Sequence, residues 1–165
     1  MSLNFATDTP FSQFEQVGFA RDVIQNEAEA LQRLARSVPA DFAGAAELVF
    51  GCQGSVIVTG MGKAGWIGQK ISASLASTGT PSHFLHPAEA FHGDLGRVGP
   101  RDVVIAFSNS GETTELIRLL PTFDKLNVPL IAVTGNERST VATRSQLILC
   151  YGKNAETGHL GLAPS

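Results

Sequence analysis

Three hydroxyls, one glycine and a helix start fall within six residues: Ser108-Asn109-Ser110-Gly111-Glu112-Thr113. The hydroxyls of Ser108, Ser110 and Thr113 are hydrogen-bonding groups without charge, and Gly111 lets main chain come close to an anion. The helix that follows opens with unpaired N–H groups and about half a positive charge. Such a combination makes a neutral cradle for a phosphate dianion. The plainer alternative is a capped helix start with Ser110 or Thr113 as the cap, which needs one hydroxyl rather than three. A second loop, Gly60-Met61-Gly62-Lys63-Ala64-Gly65, has its glycines at the spacing of a dinucleotide fingerprint. The acid that reading requires at the end of the next strand is missing, because that strand ends His86-Pro87-Ala88-Glu89. A P-loop is excluded too, since no Gly-Lys-Ser/Thr occurs.

Both loops need strands to hold them. Residues 55–59 (SVIVT), 82–86 (SHFLH), 102–107 (DVVIAF), 128–134 (VPLIAVT) and 146–151 (QLILCY) read as apolar strands. Helical stretches lie between them, from the GMGKAG loop to about Ser77 and from the hydroxyl loop to about Leu126, with a kink at Pro121. Apolar strands alternating with helices predict an α/β fold, a doubly wound five-stranded parallel sheet with right-handed connections. Ligands of such sheets bind beyond the carboxyl ends of the strands. Ahead of the sheet, Thr9-Pro10 reads as the start of a long amphipathic helix over 11–37, and Asp41 as the cap of a second over 41–50. The aromatic start of the first helix, with Phe5, Phe11, Phe14 and Phe19, suggests packing partly on another subunit.

Bulk composition narrows the partners. A chain of 165 residues, 43% hydrophobic, suits one domain with a real core. Net charge is −3 and no Lys/Arg cluster occurs, which argues against nucleic acid and leaves an anion to uncharged donors. Cys52 and Cys150 lack metal-type spacing and read as reduced, buried thiols. With no signal peptide and no apolar run near the length of a membrane span, a cytoplasmic protein is expected.

The pattern VIVTGMGKAG…STGTPSHFLHPAEAFHGDLG…VVIAFSNSGETTE…VPLIAVTG…GLAPS resembles the sugar isomerase (SIS) domain, and within it the arabinose-5-phosphate isomerases. The likeness runs from about Phe14 to Ser165. It implies a flavodoxin-like SIS core over 51–165, with helices in 1–50 packing on the core and on a neighbouring subunit, and a homotetramer arranged as a dimer of dimers. It implies interconversion of D-arabinose 5-phosphate and D-ribulose 5-phosphate through an ene-diol, for the Kdo of lipopolysaccharide, with no cofactor. Two alternatives stay open: a non-catalytic regulatory SIS module that binds sugar phosphate, and an isomerase of another sugar phosphate.

The same resemblance suggests residues for the chemistry. Lys63, at the first strand's end, matches a functional lysine placed to polarise a carbonyl or ene-diolate; its plainer reading is a solvated loop cation. Glu115 matches a functional glutamate and Glu156 another, against surface and tail acids. Substrate contacts are implied for Gly62, Gly79, Thr80, His92, Ser108, Asn109, Ser110, Glu112, Thr113 and Ser165. His86 is implied as the site of an inhibitory zinc, with a hydrogen-bonded loop histidine as the alternative. His83 should face away from Phe84 across the strand. A catalytic histidine past Glu156, a hydroxyl-rich helix after Pro164 and regulatory CBS domains are also implied, and the sequence ends before any of them, as a fragment or as a naturally short product.

Overall fold

The structure, a computed structural model, describes residues 12–152. Two units are described separately. Among the described residues the first holds one helix, α1 (Gln13–Arg36). Its cap is Ser12, not Thr9: Ser12 Oγ accepts from Glu15 N at 3.3 Å and Glu15 Oε2 accepts from Ser12 N at 2.7 Å. That reciprocal pair satisfies two amides that the helix itself leaves without partners.

The second unit begins at Val38 and is built on five parallel strands: β1 (Val56–Gly60), β2 (Ser82–Leu85), β3 (Val103–Phe107), β4 (Leu130–Thr134) and β5 (Leu147–Cys150). The helices are α2 (Phe42–Phe50), α3 (Gly62–Ser77), α4 (Pro87–Ala90), α5 (Thr114–Leu126) and α6 (Thr140–Thr143). Strand order is β2-β1-β3-β4-β5. The expected doubly wound sheet is therefore present, and its winding reverses between β1 and β3.

Because alternate side chains point to opposite faces, each strand feeds two cores. On one face Ile57, Val104 and Ala106 pack with Leu116, Leu119 and Phe123 of α5. On the other, Val56, Val58 and Ile105 pack with Ala45 of α2 and with Ile71 and Leu75 of α3. His83 and Phe84 divide as the alternation requires, Phe84 joining the α3 face. α2, grouped by sequence with the first helix, belongs to this core.

Local reading misplaces two details, each for a physical reason. Asp41 precedes α2 but makes no side-chain cap; its Oδ2 accepts from Ile148 N at 2.8 Å, 107 residues away. β3 starts one residue late because the buried Asp102 carboxylate accepts from Ser55 N and Gly99 N, both at 2.7 Å. α5 reaches Leu126 as expected, with Pro121 exposed inside it, and Asn127 follows in the left-handed region (φ 54°).

Candidate functional site

Gly60 and Phe107 are register partners at the carboxyl ends of β1 and β3. Adjacent strands lie about 4.8 Å apart, so the GMGKAG and SNSGET loops leave the sheet side by side at the switch point. The crevice between α3 and α5 is thus bordered by the two loops singled out in the sequence.

The β1 loop is tight because glycine allows it. A Cβ on Gly65 would lie 2.6 Å from Gly60 O, and one on Gly68 3.1 Å from the Phe84 ring. α3 therefore packs against β1 and β2 through glycine, and this packing accounts for the fingerprint-like spacing without a nucleotide. Lys63 is the second residue of α3, exposed at the crevice.

The β3 loop is organised from within. Ser108 is buried, and its Oγ lies 2.7 Å from Thr113 Oγ1 and accepts from Gly111 N at 3.0 Å. Ser110 Oγ accepts from Glu112 N at 3.1 Å. Each hydroxyl carries one proton. Among the described residues the Ser108–Thr113 pair uses one of its two and Ser110 only accepts, which leaves two O–H donors without a described partner. Thr113 precedes α5 without capping it through its side chain. The first α5 amide to reach a carbonyl is Ile117 N, on Thr113 O at 3.0 Å. The amides of 114–116 are left to an outside acceptor. Glu115, in that first turn, is half-buried.

A clamp that local reading overlooks holds this loop from behind. Gly111, at φ 67°, packs against Ser139, where any Cβ would overlap the serine, and its carbonyl accepts from Val141 N at 3.0 Å. Glu112 Oε1 accepts from Thr140 N at 2.7 Å, so this carboxylate is engaged with the start of α6. Gly135 N and Thr134 Oγ1 both donate to Asn109 O, at 3.0 and 3.3 Å. Tyr151 OH donates to Asn109 Oδ1 at 2.8 Å. The signal for Tyr151 was its place after the fifth strand, at the ligand-binding end of the sheet.

The other anticipated residues divide. His86 precedes α4 with its ring edge-on to Phe84, and its buried Nδ1 has no hydrogen-bond partner among the described residues. Among the described residues no three His, Cys, Asp or Glu side chains converge to hold a metal. His92 is exposed just past α4, and the adjoining Phe91 ring lies 4.7 Å beneath the Arg118 guanidinium of α5, tying this stretch to the helix that carries Glu115. Gly79 and Thr80 follow α3 and precede β2, whose Ser82 pairs with Val56. They lie at the amino end of the sheet, about 13 Å along the strands from the crevice, and the structure does not bring them to it. Glu156 and Ser165 lie outside the described residues.

A separate cavity of about 300 Å³ also opens at the amino end, lined by Glu47, Cys52, Arg101 and Pro129 among others. It has none of the hydroxyl-rich chemistry of the crevice.

Comparison with known proteins agrees with this fold. Residues 50–165 match the SIS domain family. Arabinose 5-phosphate isomerase KdsD of Shigella flexneri is 48% identical over 156 residues, 94% of this chain and 47% of its own length. The same enzyme of Escherichia coli K12 gives the same figures. The chain thus spans about half the length of the curated relatives it matches. The solved structure of E. coli CFT073 c3406 in complex with arabinose 5-phosphate superimposes with a TM-score of 0.89 at 39% identity, covering 94% of this chain and 82% of that one.

Proposed function

The chain belongs to the SIS domain family, and from that premise we propose that it is the substrate-binding and catalytic core of an aldose–ketose isomerase acting on D-arabinose 5-phosphate and D-ribulose 5-phosphate. One observation carries the reading: the Gly60–Phe107 register sets Lys63, the hydroxyl loop and Glu115 around one crevice. The names of the relatives supply the sugar.

The sugar's phosphate is gripped by the two spare hydroxyl protons of the β3 loop and the open amides of α5, whose positive end favours a dianion. Glu115, in that same first turn, is the base that carries the proton between C1 and C2. Lys63, across the crevice, stabilises the negative oxygen of the ene-diolate. Glu156 and Ser165 complete the set in this reading, as a second acid–base group and a further phosphate contact. The product supplies the Kdo of lipopolysaccharide. A cytoplasmic setting agrees with the two free thiols and with the absence of any described helix long and apolar enough to cross a membrane.

The assembly we favour is a homotetramer. Trp66 and Ile67, on α3 just after Lys63, are 69% and 57% exposed, an apolar step that a second copy would cover beside the crevice.

Proton NMR in D₂O tests the activity, using the protein that carries this domain at its natural length with arabinose 5-phosphate. Deuterium entering C1 of the ribulose 5-phosphate that forms, and C2 of arabinose 5-phosphate regenerated from it, is the expected result. Binding without exchange would instead make the domain a sugar-phosphate sensor.

A further inference from the structure

Tyr151 reaches the ligand loop from two strands away. It follows β5, its amide donates to Thr134 O at 3.1 Å, and its hydroxyl donates to Asn109 Oδ1 at 2.8 Å. Asn109 is held on its main chain as well, where its carbonyl takes both Gly135 N and Thr134 Oγ1. A carboxamide has one acceptor oxygen and two N–H donors. With the oxygen taken by Tyr151, Asn109 Nδ2 is the group left over, and it takes no partner among the described residues. The side chain is exposed and stands between Ser108 and Ser110, the two serines of the cradle.

We propose that Tyr151 is a positioning residue for the ligand loop: by occupying Asn109 Oδ1 it keeps the Asn109 amide oriented with N–H₂ toward an anionic oxygen of the bound sugar phosphate. The inference rests on the sugar-phosphate reading above. Without the phenol, the carboxamide is free to turn and present its oxygen lone pairs, which repel the anion that its N–H groups attract. Burial pushes the Tyr151 phenol above its ordinary 10, so the hydroxyl remains a donor throughout the neutral range.

Tyr151→Phe removes one oxygen and keeps the ring. Titration calorimetry with arabinose 5-phosphate, and separately with inorganic phosphate, should show Kd about three- to tenfold higher in the variant, the scale of one oriented hydrogen bond. Melting temperature should stay near that of the parent. In turnover assays KM should rise while kcat changes less than about twofold. In an Asn109→Ala background, Tyr151→Phe should cause no further loss, because its effect passes through that side chain. The Asn109 side-chain NH₂ resonances give an independent readout and should shift when phosphate is added to the parent. Unchanged affinity in Tyr151→Phe, an equal loss in the Asn109→Ala background, or silent Asn109 resonances would each overturn the proposal alone. A parent chain that binds neither ligand would overturn the sugar-phosphate reading and this proposal with it.

Discussion

Ser108 joins the crevice to its own support. Its hydroxyl contacts Thr113 Oγ1 and receives the Gly111 amide while buried at the end of β3. Ser108→Ala should therefore weaken sugar-phosphate binding about tenfold, and also lower stability by about 1–2 kcal/mol because the buried Gly111 amide and the part-buried Thr113 hydroxyl each lose a bond. Calorimetry and denaturant unfolding measure the two effects. Glu115→Gln should behave differently: turnover falls about a hundredfold or more while binding survives, since the amide keeps the shape and loses the base. His83 carries the clearest pH dependence. Its Nε2 is buried without a partner, and burial, reinforced by Arg97 and opposed by Asp102 and Asp94, pushes its pKa below 6.5. The folded protein thus favours the neutral ring. The contribution is complete above pH 6.5 and is lost as pH falls through the depressed value. Melting temperature should drop on acidification from pH 6.5, and His83→Leu should flatten that slope.

At the level of elements, the strands were legible because apolar, β-branched runs have few other places to go. The two loops were legible because their glycines and hydroxyls are unusual in so short a span. What stayed hidden depends on distant partners. Asp41 has the composition of a cap, yet its carboxylate is drawn to Ile148 N, and no local pattern announces that contact. The Tyr151–Asn109 bond spans 42 residues and was invisible for the same reason. Gly79 and Thr80 came from resemblance alone, and chain direction places them at the far end of the sheet. The Ser12–Glu15 capping box was there to be read but yielded to the more conspicuous Thr9-Pro10. The fingerprint-like glycines now have a mechanical role, which yields a prediction. Gly65→Ala should cost about 1–3 kcal/mol in urea unfolding, because its methyl would press on Gly60 O and push α3 from β1. Sugar-phosphate affinity should fall with it, since Lys63 rides on the first turn of α3.

For the whole molecule, the sheet's switch point, the positive end of α5 and a net charge of −3 form one consistent account. On the proposed reading, local donors would hold the dianion in a chain whose sequence has no Lys/Arg cluster. Light scattering at micromolar concentration should give four times the mass of one chain, with Trp66→Glu lowering it; a mass of one chain would count against the tetramer. The central claim concerns where the phosphate rests, and ¹H–¹⁵N amide mapping during titration with arabinose 5-phosphate reads that directly. The largest shifts should fall on Ser108 to Glu115, with smaller ones at Gly62 and Lys63. Silence there, with shifts gathered instead around Cys52 and Arg101 at the opposite end of the sheet, would contradict the account.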